Sequence, residues 1–249
     1  MVKFFMPSFV RRAELGNSSS VQLMKYQVLT RIYSVFDHWL SQWNFVCYKG
    51  CSTCCTQNVT MTGLEGEHIY RFIKDRQKEE WFVNVLQSID LVENPGPTTN
   101  EFATFCLNDE EIESPHQSHS KPCPFLIKQS CTIYEARPFN CRCFVSREKC
   151  RSDRPAVVPD FILTGSTVVM QIVEHLDQRG QWGNMLDILR IQSVSLQSND
   201  LIQRRIHECK PLPGFLIPPE DFKHVQSLLD SIFSAQVDGK SVKMILNGG

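Results

Sequence analysis

Cysteine spacing constrains this chain more than any other feature of its sequence. Eleven of the 249 residues are cysteines, and ten of these lie between residues 47 and 150. Three kinds of structure explain such a count: a disulfide framework, a metal site, or buried thiols that act as small hydrophobic side chains. Most of the cysteines form two clusters, the first made of Cys47, Cys51, Cys54 and Cys55 and the second of Cys123, Cys131, Cys141, Cys143 and Cys150.

A disulfide framework requires an oxidising compartment, and the N-terminus does not resemble an export signal. Its apolar run is short, contains Pro7 and is followed by Arg11 and Arg12. No stretch reaches the roughly 18 to 20 apolar residues of a membrane span. The sequence therefore predicts a cytoplasmic protein without membrane association, in which clustered free thiols indicate metal or redox chemistry.

The first cluster combines a tight spacing with an adjacent pair. The spacing Cys51-x2-Cys54 lets both sulfurs turn toward one ion, because the intervening turn reverses the chain. The adjacent Cys54 and Cys55 fit one tetrahedral ion poorly, since their side chains diverge in most backbone conformations. They serve two metals, two irons of one cluster, or one metal and one packing role, and these alternatives stay open.

The second cluster begins with a predicted β-hairpin. Two β-prone runs flank residues 128–130, so the hairpin brings Cys123 near Cys131. Pro138 suits the first position of a helical turn, which folds Cys141 back toward the hairpin. In such a turn Cys143 points nearly opposite to Cys141. Cys141 is therefore the better ligand, and Cys143 is a further candidate.

Other thiols and histidines are predicted to lie outside the metal site. Cys106, Cys150 and Cys209 are more typical of packed thiols than of ligands. Imidazole is a common ligand of zinc and iron, but His116 and His119 lie in a polar segment that favours solvated side chains.

A shared metal centre would join the two clusters, which 67 residues separate. Loop-closure entropy grows only logarithmically with length, so this separation is no obstacle. Seven core thiols exceed the four ligands of one zinc site. The alternatives are two metal sites, one metal cluster with additional thiols beside it, or one metal site beside thiols that bind no metal. Arg137, Arg142 and Arg147 either offset the charge of the thiolates or form a solvated face.

Taken together, these residues resemble the bacterial YkgJ-type cysteine-cluster family, which is described as chelating zinc or iron. The resemblance covers roughly residues 45–146 and includes the Cys-Pro-Phe-Leu segment at 123–126 and the Ile-Tyr-Glu-x-Arg-Pro segment at 133–138. Cys143 is an addition to the family pattern. The resemblance implies no defined activity, and it implies thiolate ligands at Cys47, Cys51, Cys54, Cys55, Cys123, Cys131 and Cys141.

A fainter similarity is to flagellin lysine N-methylase, in the cysteine cluster and in a short aromatic opening at residues 6–10. It implies S-adenosylmethionine-dependent methylation of protein lysines as the enzyme alternative. Against it, the sequence shows no Gly-rich strand-to-helix loop of the kind that often holds that cofactor, and only 12 glycines.

Hydrophobic periodicity predicts an α+β fold, in which an irregular cysteine-rich lobe with a small hairpin packs against N- and C-terminal helices. We divide the chain into residues 1–45 (N-terminal segment and helix), 46–156 (metal-binding domain) and 157–249 (mainly helical region). A capping box at Thr62 and Glu65 marks one helix start. Helices are predicted at about residues 21–45, 62–78, 166–179, 182–208 and 219–233, with loops at 94–100 and 110–121.

The net charge of −1 predicts no general affinity for nucleic acid. No catalytic residues can be named, and a metal ion or cluster is the partner that the sequence identifies. The sequence thus predicts a chelating protein that binds iron, as ions or as an iron–sulfur cluster, or zinc.

Overall fold

The protein consists of helices and short strands. The computed structural model describes residues 2–4, 19–90, 96–111, 121–151, 153–193 and 200–248. The helices of these residues are α1 (Ser19–Leu40), α2 (Gly63–Asp75), α3 (Glu79–Gln87), α4 (Thr99–Leu107), α5 (Phe139–Cys143), α6 (Asp160–Leu176), α7 (Met185–Gln192), α8 (Asp200–Gln203), α9 (Phe222–Ser234) and α10 (Val242–Leu246). The strands are β1 (Val2–Phe4), β2 (Thr60–Thr62), β3 (Leu126–Ile127), β4 (Ser130–Cys131), β5 (Gln181–Asn184), β6 (His207–Glu208), β7 (Phe215–Ile217), β8 (Gln236–Val237) and β9 (Lys240–Ser241).

The strands form small antiparallel sheets, so the predicted α+β class is confirmed. The largest described sheet has the order β2-β5-β6, with Trp182 paired to Thr62 on one side and to His207 on the other. The strands β3 and β4 form the predicted hairpin. No described helix is long and apolar enough to cross a bilayer.

The main hydrophobic core lies where α1 crosses α6 and α9. Phe36 of α1, Ile172 of α6 and Leu228 of α9 are fully buried in it. Gly165 permits the close crossing of α1 and α6, because a Cβ atom there would lie 2.8 Å from the ring of Trp39. Terminal helices therefore form the support on which the rest of the chain packs.

A second hydrophobic cluster lies beneath the cysteine-rich lobe. It joins α2, α3 and α7 to the hairpin, where the rings of Phe82 and Phe125 stack with centroids 5.8 Å apart. Three thiols pack against its surface, namely those of Cys123, Cys131 and Cys141. This cluster sets the hairpin and α5 at fixed positions relative to α2.

Two carboxylates near the end of α6 hold the first turns of other helices. The backbone N–H of Asn100 in α4 donates to Glu174 at 2.8 Å, and that of Leu64 in α2 donates to Asp177 at 3.0 Å. Anions are favourable there because the first N–H groups of a helix lack partners within it. Burial nevertheless raises the pKa of Glu174, and it raises the pKa of Asp177 to about 6.

Several local predictions are confirmed by the structure. The capping box of Thr62 and Glu65 starts α2, with both of its reciprocal hydrogen bonds present. Pro138 precedes the short helix α5, as expected. The first predicted helix is present as α1, but it ends at Leu40 rather than near residue 45.

The helix predicted over residues 182–208 is wrong. Residues 181–184 instead form a strand between β2 and β6, and only residues 185–192 and 200–203 are helical among those described. Sheet pairing with β2 overrides the helical periodicity of this segment, since a sheet partner distant in sequence is invisible to a local pattern. The loop predicted over residues 94–100 extends too far toward the C-terminus. A second capping box at Thr98 and Glu101 starts α4, so residues 99 and 100 are helical.

Two sequence interpretations fall outside the described residues. These are the aromatic opening at residues 6–10 and the polar segment that carries His116 and His119.

Candidate metal centre

The first cysteine cluster folds as two consecutive turns after α1. The backbone N–H of Cys51 donates to the carbonyl of Tyr48 at 2.9 Å, and that of Cys55 donates to Ser52 at 3.0 Å. Gly50 has a φ of +108°, a backbone conformation that side-chain-bearing residues rarely adopt. The turns reverse the chain tightly and bring the four thiols of the cluster to one cavity.

Backbone hydrogen bonds join the first cluster to the start of the second. The N–H of Cys123 donates to the carbonyl of Cys55 at 3.0 Å, and the N–H of Gln57 donates to Lys121 at 2.9 Å. Thr56 and Pro122 form an antiparallel bridge between these two bonds. The two clusters therefore meet through main-chain pairing across the 67-residue separation.

The hairpin places the next two thiols side by side. Cys131 pairs with Leu126, and the N–H of Leu126 turns back to the carbonyl of Cys123 at 3.2 Å. The two-residue loop has positive φ at both Lys128 and Gln129, as a tight hairpin turn of this kind requires.

Glu65 holds the helix α5 that carries Cys141. This carboxylate is only 3% exposed, and one of its oxygens accepts hydrogen bonds from the backbone N–H of Phe139 and the hydroxyl of Tyr33, each at 2.7 Å. Its other oxygen accepts the N–H of Thr62 at 2.8 Å. One side chain thereby connects α1, the start of α2 and the start of α5, and it sets the direction in which Cys141 points.

Seven thiols line one cavity of about 390 Å³. Apolar side chains form another part of its wall, among them Trp43, Phe45 and Phe144. All eleven cysteines lie within the described residues and are free thiols. The seven that line the cavity are Cys47, Cys51, Cys54, Cys55, Cys123, Cys131 and Cys141.

The structure does not bring Cys143 to this cavity. Its thiol donates to the carbonyl of Phe139 at 3.3 Å and packs against the main core, because residues two apart on a helical turn point in nearly opposite directions. Cys209 is buried elsewhere, with its thiol donating to the carbonyl of Gln181. Cys106 lies on α4, and Cys150 follows α5 at the edge of the lobe.

Backbone N–H groups point at several of the cavity sulfurs. Ser146 donates to the thiol of Cys47, Phe125 to that of Cys123 and Ile133 to that of Cys131. In each case the hydrogen bond favours the thiolate and lowers the pKa, although burial outweighs it. Hydrogen bonds of this type orient metal ligands and tune the centre that they hold.

Proximity also perturbs the acidity of these thiols. Burial raises the pKa of Cys123 to about 11. Burial, followed by the charges of Cys123 and Cys131, raises the pKa of Cys141. A hydrogen bond between the adjacent thiols raises the pKa of Cys54 and lowers that of Cys55. Both Cys54 and Cys55 line the wall of this one cavity.

Two arginines line the cavity and a third is exposed. Arg142 is 7% exposed, donates to Asp37 at 2.6 Å and stacks over the ring of Tyr33. Arg137 donates to the carbonyl of Tyr134 and stacks on its ring. Arg147 is exposed on the segment after α5. Arg137 therefore places positive charge beside the thiols, whereas the charge of Arg142 is paired with that of Asp37, which lines the same cavity.

The seven thiols are suitable ligands for a metal bound by thiolates. Their sulfurs, however, are not arranged around one common metal position. In the described part of the chain, no three His, Cys, Asp or Glu side chains form a group that could hold a metal ion as they stand. A cysteine side chain has one rotatable bond with three staggered positions, so its sulfur can move into the cavity while the backbone stays in place. Thiolates are the ligands that zinc and iron–sulfur centres prefer.

Sequence reasoning missed the residues that support the thiols. Glu65 was identified only as a helix cap, and nothing in its local sequence indicates the contacts with Phe139 and Tyr33. Trp43, Phe45 and Phe144 carry no motif either. Their roles come from contacts between segments that are far apart in sequence.

The comparison with protein families agrees with this geometry. Residues 46–158 match the model of the CxxCxxCC family, described as "Putative zinc- or iron-chelating domain". The match spans a little under half of the 249 residues and contains both cysteine clusters. It confirms the resemblance to a metal-chelating cysteine-cluster family. No curated protein and no solved structure matches the chain.

Proposed function

We propose that this protein holds iron or zinc in a polynuclear thiolate centre, because residues 46–158 match the model of a family described as zinc- or iron-chelating. The observation that supports this best is the set of seven thiols around one cavity. We assign the metal to Cys47, Cys51, Cys54, Cys55, Cys123, Cys131 and Cys141, and we assign Cys143 a packing role.

More than one metal atom is favoured by the number of donors and by the room between them. One tetrahedral zinc ion takes four ligands, and seven thiols line this cavity. A cavity of about 390 Å³ also exceeds the space of a single ion. Iron in an iron–sulfur cluster is the form that we favour, since clusters take several thiolates and N–H groups directed at sulfur tune their potentials.

The protein environment supports such a centre in two ways. Arg137 places positive charge beside the thiolates of Cys131 and Cys141, which would otherwise repel one another. Trp43, Phe45 and Phe144 form an apolar wall, which limits the access of water to the metal. When bound, the metal would supply either a structural crosslink or a redox centre.

Anaerobic purification followed by metal analysis and a visible spectrum tests the proposal. We expect more than one metal atom per chain, with visible absorption that air bleaches if the metal is iron in a cluster. Zinc at more than one atom per chain without a visible band would retain the polynuclear centre and reject iron. Preparations that contain no metal after anaerobic expression with added iron and zinc would reject the proposal itself.

The methylase alternative stays a prediction from the sequence. A labelled methyl donor, incubated with the purified protein and unmodified flagellin, tests it. Transfer of label to lysine would support it, and the absence of transfer by metal-loaded protein would count against it.

A further inference from the structure

Large apolar side chains are exposed around the mouth of the thiol cavity. Tyr48 is 66% exposed and Phe144 is 41% exposed, and both line the cavity. Val46 and Val157 are 46% and 42% exposed on neighbouring segments. We call these four residues the rim patch. Exposed apolar side chains that cluster within a polar surround mark a surface that another molecule covers.

Hydrogen bonds hold the segments of the rim patch side by side. The N–H of Val46 donates to the carbonyl of Ser146 at 2.9 Å, and the N–H of Val157 donates to the hydroxyl of Ser146 at 3.0 Å. Ser146 is fully buried, and Phe144 precedes it by two residues on the same segment. The backbone beneath the rim patch is therefore fixed before anything binds, which lowers the entropic cost of binding.

The segment after α1 divides its side chains between the metal centre and the surface. Trp43, Phe45 and Cys47 are partly buried and line the cavity. Val46 and Tyr48, which alternate with them, are exposed. Successive side chains of an extended segment point to opposite sides. The inward side thus forms the wall of the cavity, and the outward side is left for contact with another molecule.

A basic loop borders the rim patch. It consists of residues 147–151 and 153–157, and it closes where the N–H of Arg147 donates to the carbonyl of Val157 at 2.9 Å. Arg147, Lys149 and Arg151 are exposed and form no ion pair within the part of the chain that the structure describes. Residues 147–154 carry four basic and two acidic side chains, a net charge of +2 in a chain whose total is −1. The surface beside the rim patch is therefore positive on a protein that is otherwise negative.

We propose that the rim patch and the basic loop together form the docking surface for an acidic protein that presents an aromatic or aliphatic side chain. That side chain packs on the rim patch, and carboxylates of the partner lie against Arg147, Lys149 and Arg151. An apolar centre bordered by charges is the usual composition of a specific protein interface. The inference goes beyond the proposed function, because it assigns a partner to a surface that itself binds no metal. A partner docked there lies at the mouth of the cavity.

Charge distinguishes this partner from two others. A second copy of the chain would bring two positive surfaces together, since the same surface faces itself in a symmetric dimer, and like charges across an interface are unfavourable. Nucleic acid carries a phosphate at every nucleotide, and its binding needs a denser basic surface than a loop that also contains Glu148 and Asp153. An acidic protein matches both the apolar and the charged part of the surface.

Photocrosslinking in cells that normally produce the protein tests the docking surface. Val157 is replaced by the photoreactive residue p-benzoylphenylalanine, because its side chain is exposed and does not line the cavity. We expect irradiation to link position 157 to an acidic protein, which mass spectrometry of the product identifies. Combining this replacement with Arg147→Glu and Lys149→Glu should reduce the amount of product by a factor of about ten or more.

Position 244 is the matched control for the crosslinking. Met244 is 53% exposed on α10, and the carbonyl of Leu246 in the same helix lies 3.3 Å from the ring of His175 near the end of α6. Val157 precedes the start of α6, whose 17 residues span about 25 Å. Crosslinks from position 157 only to a second copy, identical products from both positions, or no crosslinked protein would each overturn the proposal.

A defined acidic probe tests the same chemistry with purified protein. A fluorescent copolymer of glutamate and tyrosine supplies carboxylates and aromatic side chains, and fluorescence anisotropy measures its Kd. We expect it to bind more tightly than polyglutamate, and to bind more weakly as salt rises from about 50 to about 300 mM. Arg147→Glu combined with Lys149→Glu should raise the Kd by a factor of about ten or more. The control combines Lys240→Glu with Lys243→Glu, at exposed positions in β9 and α10, and should change the Kd little.

Metal analysis of the same preparations separates docking from the proposed function. Metal-free wild-type protein that binds the copolymer through the basic loop would reject the proposed function and keep the docking surface. Metal-loaded protein that binds the copolymer no better than polyglutamate, or with equal Kd in the two double variants, would overturn the docking surface alone. Tighter binding of single-stranded DNA than of the copolymer would assign the surface to nucleic acid and overturn the proposal.

Discussion

The backbone N–H of Cys123 donates to the carbonyl oxygen of Cys55, with nitrogen and oxygen 3.0 Å apart, and this bond joins the two cysteine clusters. The flanking bond from Gln57 to Lys121 makes the junction a short piece of antiparallel pairing. The thiols are therefore brought together by main-chain structure and by the hydrophobic cluster around Phe125, in addition to any metal.

Removal of metal should therefore loosen the protein without unfolding it. The two hydrophobic clusters and the main-chain pairing of Cys55 with Cys123 consist of contacts that involve no metal–sulfur bond. Binding to the folded state alone raises its stability, so a chelator should lower the Tm by more than about 10 °C while the helical circular dichroism signal at room temperature remains. Loss of that signal on chelation would show that the fold depends on the metal, as in classical zinc fingers.

Glu65→Gln should weaken both the fold and the metal centre. The amide presents one acceptor oxygen and an NH2 group to several N–H and O–H donors, which leaves buried donors unpaired. We expect a loss of about 1–3 kcal/mol in the free energy of unfolding and faster loss of metal to a chelator, because α5 carries Cys141.

Glu101→Gln is the matched control for this variant. Glu101 forms the same capping box at the start of α4, away from the thiols. It should change metal release little. Equal rates of metal release from both variants would show that Glu65 acts only as a helix cap.

Metal affinity should rise steeply with pH. Burial raises the pKa of Cys47, Cys123 and Cys131, so protons compete strongly with metal for these sulfurs. Binding requires thiolates and releases protons, and the affinity should increase from about pH 6.5 to about pH 8.5 with more than one proton released per metal atom. Competition titrations with a chromophoric chelator at several pH values measure this slope. A flat profile would indicate ligands other than these thiols.

Asp177→Asn should remove one component of the pH dependence of stability. Burial raises the pKa of Asp177 from 3.8 to about 6, so the folded chain binds more protons than the unfolded chain between these values. This carboxyl therefore makes the free energy of unfolding fall as pH rises through that interval, by up to about 3 kcal/mol. His68, whose pKa burial lowers to about 4, acts in the opposite direction, so the difference between variant and wild type is the useful quantity.

The free energy of unfolding of Asp177→Asn minus that of the wild type should increase from about pH 4 to about pH 6 and then level off. Urea unfolding at each pH measures this difference. The asparagine oxygen can still accept the N–H of Leu64, so the cap of α2 is retained. Asp230→Asn, on an exposed face of α9, controls for loss of a negative charge. Parallel pH profiles for Asp177→Asn and the wild type would contradict the buried-carboxyl explanation.

Local signals in the sequence predicted the local parts of the site well. The capping box at Thr62, the hairpin at residues 126–131 and the turn after Pro138 each depend on neighbouring residues, and each is present. The helix predicted over residues 182–208 is wrong because its first residues pair with β2, more than 100 residues earlier in the chain. A second capping box, at Thr98, was present in the sequence and overlooked.

The sequence by itself determined the chemistry of the site, since soft thiolates at these spacings and in these numbers are typical of zinc and iron centres. Tertiary structure decided the direction of each sulfur. Cys141 and Cys143 are only two residues apart, yet the thiol of Cys141 lines the cavity and that of Cys143 packs into the main core. The physical reason is that the direction of a side chain follows the backbone that carries it. Glu65 and Ser146 orient that backbone by hydrogen bonds to segments far away in sequence.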